Sequence, residues 1–240
     1  MNIVSRNLAF FFLAALLALA PAARAQSASY IVSQHGKSVG TATVTFAASR
    51  DGYDSTSIVR VDLQGLNYNI SKTEQLTQSN QLKHAQLSAT VNGSAVNVVA
   101  APDSAQILLN ISANGRSVTT PLARHATAVF LPDFDPGAFD TLLALAVTQN
   151  NRDLWAIIPK KTGSIQPVQI ATYADEKGTL DGKPVIVHHL VATIAGARIE
   201  LFSGPENQLL QAELTQQGFA LVRKGFILAP PVKPGAPPTQ

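Results

Sequence analysis

The sequence predicts a mainly β protein: a large curved antiparallel meander sheet, forming a half-barrel or barrel, with one buried helix on its concave face. Three observations point there. Runs of two-residue periodicity recur along most of the chain, turn dipeptides such as Asn92-Gly93, Asn114-Gly115 and Asp181-Gly182 separate them, and a single stretch carries helical spacing. Short strands joined by short turns form antiparallel hairpins, whereas parallel βαβ units need a helix in every crossover.

The first 25 residues read as a secretory leader. Arg6 precedes an apolar run from Leu8 to Ala20, and Ala23-Arg24-Ala25 offers a small-x-small cleavage site before Gln26. The run is shorter than the roughly 20 residues of a membrane span and Pro21 ends it, so no transmembrane segment is expected after cleavage. The expected destination is the periplasm or the exterior. Residues 26–228 then form a single β-rich domain, and 229–240, APPVKPGAPPTQ, an extended proline-rich tail without periodicity.

Within the domain, Tyr30-Ile31-Val32 starts one strand, His35-Gly36-Lys37 turns, and alternation resumes at Ser38 and runs through Phe46. From Leu66 to Leu76 one face carries Leu66, Tyr68, Ile70 and Leu76, interrupted by Lys72 and Glu74, while the opposite face is wholly polar. That is the signature of a half-buried strand. Residues 82–91 place Ala85, Leu87, Ala89 and Val91 inward, and Asn92-Gly93 supplies a favoured two-residue hairpin turn into 95–100. Further strands are expected at about 105–111, 164–173, 184–194, 197–203, 208–215 and 219–227. The helix should begin at Asp135-Pro136, with the acid as cap and proline in the first turn, and stop at Asn150-Asn151. Phe139, Leu142, Leu143, Ala146 and Val147 make its apolar face.

Composition excludes several functional classes. There is no cysteine, hence no disulfide framework and no lipid-modified amino-terminal cysteine. The formal net charge is +3, and loss of Arg6 and Arg24 with the leader removes two of those charges. Basic residues are scattered, with Lys160-Lys161 and Arg223-Lys224 the longest groups, so the clustered cations that neutralise nucleic-acid phosphates are missing. No cofactor motif is found.

GKSVG at residues 36–40 matches the serine-elbow pattern G-x-S-x-G, but that motif needs preceding strands and a following helix. TATVTF follows instead, rich in β-branched residues that suit a strand. Ser38 therefore reads as part of a hairpin, and no catalytic residue is assigned. The adjacent pair His188 and His189 should point to opposite faces of one strand and so cannot share a metal ion. With apolar neighbours on both sides, the strand should be central and buried; a histidine facing the concave side is still the best candidate for a functional polar group. Asp133, Asp135 and Asp140 lack the ligand set of a calcium loop, and Asp135 and Asp140 are better explained as helix cap and first-turn acid. Trp155, the single tryptophan, reads as a core anchor or, beside Lys160-Lys161, as part of a ligand-binding rim. His188, His189 and Trp155 are the candidate ligand-binding residues; no metal site is expected.

Several stretches together resemble a bacterial family of exported β-sheet proteins known as a domain of unknown function. They are YIVSQHGKSVGTATVTF, LSATVNG, KTGSIQPVQI, DGKPVIVHHL, and LFSGPENQLLQAEL followed by LVRKGF. The G-x-x-V-G-like opening of that family is matched by Gly36, Val39 and Gly40, one residue closer together. The resemblance implies a curved antiparallel sheet, with the half-barrel of periplasmic lipoprotein carriers as its shape analogue, and carries over no catalytic residues.

The function expected from these observations is a non-enzymatic envelope protein that binds an apolar small molecule or lipid in a cavity of its curved sheet. Two rivals are an interaction module docking other envelope proteins through a sheet edge and the proline-rich tail, and a hydrolase built on a concave-face histidine and an acid. The last requires His188 or His189 to lie in a pocket within reach of a carboxylate.

Overall fold

The computed structural model describes residues 25–230; the expected leader and nearly all of the proline-rich tail lie outside them. The strands are β1 (Gln26–Gln34), β2 (Lys37–Ser49), β3 (Gly52–Leu63), β4 (Leu66–Thr77), β5 (Leu82–Val91), β6 (Ser94–Asp103), β7 (Gln106–Ala113), β8 (Arg116–Ala123) and β9 (Ala128–Phe130). After helix α1 (Pro136–Thr148) come β10 (Leu154–Ile158), β11 (Ser164–Thr172), β12 (Glu176–Leu180), β13 (Lys183–Ile194), β14 (Ala197–Ser203), β15 (Leu209–Leu214), β16 (Phe219–Arg223) and β17 (Phe226–Leu228). These 17 strands form one large, mostly antiparallel sheet that does not close into a barrel.

β1 to β8 make an unbroken antiparallel meander. On the other side of β1 the sheet continues through β16, β15, β14, β13, β11 and β10, and ends in β9, which lies parallel to β10. β12 and β17 form a short branch on the outer half of β13. The long strip curls. Its central strands β2 and β3, its distal strand β15 and its far end β9 and β10 all touch α1, and β9 also approaches β5. The helix therefore fills the concave side, as the apolar spacing predicts.

The register of the meander follows from burial alternation. Ile70, Leu76, Ala85, Leu87, Val98, Ala100, Ile107 and Leu109 face the core, and their neighbours in sequence are half-buried or exposed. A one-residue slip would invert every one of these positions. On the helix, Phe139, Leu142, Leu143 and Ala146 are buried as expected, whereas Val147 is exposed at the lip of a cleft.

Some elements escaped the sequence reading. β3 is long and central, yet its inward face reads Ser55, Ser57, Val59, Val61, so half of its apolar alternation is replaced by serine. β8 is an edge strand in which Leu122 alone is buried, and it tolerates Pro121 because one side of an edge strand needs no ladder donor. The stretch expected as one strand at 219–227 is two, split by a turn in which Gly225 takes a positive φ of 82°.

Gly36 adopts φ 77° in the first hairpin turn, next to His35 at φ 48°, which accounts for the first glycine of GKSVG. The second is explained by crowding: a Cβ on Gly40 would collide with the backbone carbonyl of Arg60 on β3. Gly40→Ala should cost about 1–3 kcal/mol in urea unfolding because the obstacle is main chain. Gly36→Asn, in open space at a left-handed position, should cost well under about 1 kcal/mol. Equal losses at the two positions would contradict this packing.

Candidate functional site

The inward positions of β4 that break its apolar face are the key to the interior. Lys72 and Glu74 are both fully buried, opposite Ser57 and Ser55 of β3 in register. Above them sits the amino terminus of α1. Asp135 caps the helix by accepting from the Gly137 N–H at 2.9 Å, and its other oxygen lies 2.6 Å from Lys72 Nζ. Lys72 Nζ also donates to Glu74 Oε2 at 2.9 Å. Burial alone would pull the lysine pKa down, but the Asp135 and Glu74 carboxylates outweigh it and hold the ammonium above its ordinary value. Burial pushes the Glu74 pKa up, only partly offset by Lys72. The cluster is thus a Lys72–Asp135 ion pair with a carboxyl group biased toward its neutral form.

Close approach explains the serines of β3. A Cβ on Gly137 would lie 2.6 Å from Ser57 Oγ and 3.0 Å from Ser55 Oγ, so larger side chains at either position would push the helix off the sheet. Lys72, Glu74 and Asp135 are all sealed from solvent and line neither of the two clefts beside the helix.

Two clefts border this cluster. The apolar one, about 230 Å³, is walled by Leu131, Phe134 and Phe139 near the helix start and by Ile158, Ile194 and Ile199 from the far strands. Phe134 holds a positive φ of 56° and packs edge-on against Tyr68 and at 4.7 Å from Phe219. A bulky residue in this region costs on the order of 1 kcal/mol, offset here by burial of its ring. Lys160 and Arg198 stand at the rim; Lys160 pairs with Asp133 at 2.8 Å in an exposed contact.

The larger cleft, about 400 Å³, runs along the Asp140, Ala144 and Val147 flank of α1, facing Tyr30 of β1, Val44 and Phe46 of β2, and Arg223 of β16. Asp140 accepts from the Leu209 N–H at 2.6 Å, and the Tyr30 hydroxyl donates to the Leu209 carbonyl at 3.0 Å. Burial pushes the Asp140 carboxyl up to about 7, against the opposing pull of the Leu209 N–H and of Arg223. Asp140 therefore does something other than the first-turn acid role its spacing suggested. It ties the helix to β15.

His188 and His189 lie where β13 changes partner from β12 to β11, opposite the Tyr173–Asp175 connection. They point apart. His188 Nδ1 is 2.9 Å from Asp175, with 40% of its side chain exposed, so the buried strand expected around it is open on that side. His189 is held between Glu176 at 3.1 Å and Glu200 at 3.3 Å and stacked between Tyr173 and Phe202. Trp155 is half-buried against the main core, stacks on His125 at 3.6 Å, and donates its indole N–H to Asp153. None of these three residues lines either cleft, and the structure does not bring them together. Ser38 is exposed on β2 with no helix after it. Among the described residues, no group of three or more His, Cys, Asp or Glu side chains could hold a metal ion, and no helix is long and apolar enough to cross a membrane.

Compared with protein-family models, with curated proteins and with solved structures, the chain finds no match.

The raised pKa of Asp140 gives a stability signature. The folded carboxyl holds its proton to about pH 7, whereas an unfolded aspartate loses it near pH 4. Below both values Asp140 is neutral on either side and contributes nothing. As pH rises from about 4 to about 7 the folded state loses ground, because only the unfolded state has released its proton. Asp140→Asn should therefore gain stability relative to the parent across that window and hold a constant difference above it, measured as urea midpoints at successive pH values. A difference independent of pH would refute the assignment.

Proposed function

We propose that this chain is an exported, non-enzymatic binding protein that takes a small single-chain anionic amphiphile into the apolar cleft beside the helix start. The observation that carries the reading is the slot between Phe139 of the helix and Ile194 and Ile199 of the distal strands, which is apolar in its walls and has two cations, Lys160 and Arg198, and one acid, Asp133, at its rim. Apolar walls with a few placed polar groups are the usual make-up of small-molecule sites. Lys160 and Arg198 would take the head group. Lys160 pairs with Asp133 at 2.8 Å in an exposed contact, worth only about 0–1 kcal/mol, and Arg198 lies 3.7 Å from a half-buried Glu200 that is shared with His189.

The volume limits the ligand. About 230 Å³ falls below the roughly 300–1,000 Å³ of sites for drug-sized molecules. One short chain fits; a multi-acyl lipid would need the helix displaced. The concave face is occupied by α1 and by Phe130, Phe134 and Phe139, so the wide interior of a lipoprotein-carrier half-barrel is not what this packing favours. A hydrolase reading gains an acid beside each histidine but finds neither histidine in a cleft.

Isothermal titration with decanoate tests the proposal. Decanoate should bind the parent protein, and Leu214→Trp at the cleft wall should abolish binding. Lys160→Gln with Arg198→Gln should weaken decanoate about tenfold, equivalent to about 1.4 kcal/mol, and leave decanol unchanged. Decanoate binding indifferent to Leu214→Trp would overturn the site.

A further inference from the structure

The larger cleft carries a guanidinium and a carboxyl group that are not paired with each other. Arg223 is half-buried in its wall, and among the described residues no carboxylate lies within 4 Å of its guanidinium. Asp140 lies near enough for Arg223 to bias its ionisation, yet it spends one oxygen on the Leu209 N–H and makes no ion pair. Beside these two groups, Val44, Phe46, Ala144 and Val147 form an apolar wall. Half-buried charges without partners are costly, and a ligand that completes both recovers that cost.

We propose that this cleft binds a free hydrophobic amino acid, with its ammonium on Asp140, its carboxylate on Arg223 and its side chain against Val44, Phe46 and Ala144. The charge pattern selects the class. A simple carboxylate would reach Arg223 but leave Asp140 without a partner, and a simple amine would reach Asp140 but meet Arg223. A zwitterion satisfies both at once. Arginine offers planar, two-pronged recognition of a carboxylate, and a ligand ammonium relieves the burial that presses the Asp140 carboxylate toward its neutral form. Glu206, exposed on the turn between β14 and β15, adds negative charge at the rim, and the Tyr30 hydroxyl is already committed to the Leu209 carbonyl. This site is independent of the amphiphile cleft and shares none of its lining residues.

Isothermal titration of the full chain with L-leucine, N-acetyl-leucine and leucinamide tests the assignment. Leucine should bind, and removing either ligand charge should weaken binding at least tenfold, about 1.4 kcal/mol. Asp140→Asn, which keeps an acceptor for the Leu209 N–H, should erase the preference over N-acetyl-leucine while keeping the preference over leucinamide. Arg223→Gln should do the reverse. Ala144→Trp should fill the cleft and abolish binding, and Lys160→Gln, in the other cleft, should leave leucine affinity unchanged. Thermal unfolding of each variant establishes that it is folded before titration. No binding of leucine at millimolar concentration to the folded parent, or equal binding of all three ligands, would overturn the proposal.

Discussion

The ion pair between Lys72 and Asp135 is the contact on which the rest of the interior depends. It joins the middle of the longest meander to the amino-terminal cap of α1, in a place that water does not reach. Removing one partner of a buried pair leaves an uncompensated charge, which costs about 3–5 kcal/mol, although replacing the whole group with apolar side chains can be neutral. The value of the pair is therefore positional. Greasy side chains alone could let the helix slide along the concave face; a charge pair at 2.6 Å with a capping bond at 2.9 Å fixes both its height and its entry angle.

Position matters because both clefts are made by the helix. Phe139 faces one and Asp140 the other, adjacent residues one turn beyond the tethered cap. A shift of the helix start would close the apolar slot against Ile194 and Ile199 or pull Asp140 away from the Leu209 N–H. The serines of β3 belong to the same constraint, since the close approach of Gly137 leaves no room for anything larger. Architecture and binding surfaces thus follow from one buried contact.

Much of the fold was legible because alternation in a half-buried strand is a strong signal. β4, β5, β13 and the helix cap at Asp135-Pro136 could be placed from sequence. β3 was not legible. Its inward serines answer to the helix, a contact made across more than 70 residues of chain. The interruption of β4 by Lys72 and Glu74 was visible as a break in the apolar face, but what pairs with them depends on which distant segment folds over that face. Arg223 and Asp140 carry no local motif at all; the curl of the sheet brings β16 and the helix to one cleft. His188, His189 and Trp155 stood out by residue type, which says little about whether a side chain reaches a cavity.

The most direct test of the tether is a double-mutant cycle on Lys72→Met and Asp135→Asn, read by urea unfolding. Asparagine keeps the helix cap, so the cycle isolates the pair itself. The account predicts a coupling energy of about 2 kcal/mol, within the range of about 0.5–3 kcal/mol seen for residues of one network. Losses that simply add, to within about 0.5 kcal/mol, would show that the helix is held in place by something other than this ion pair.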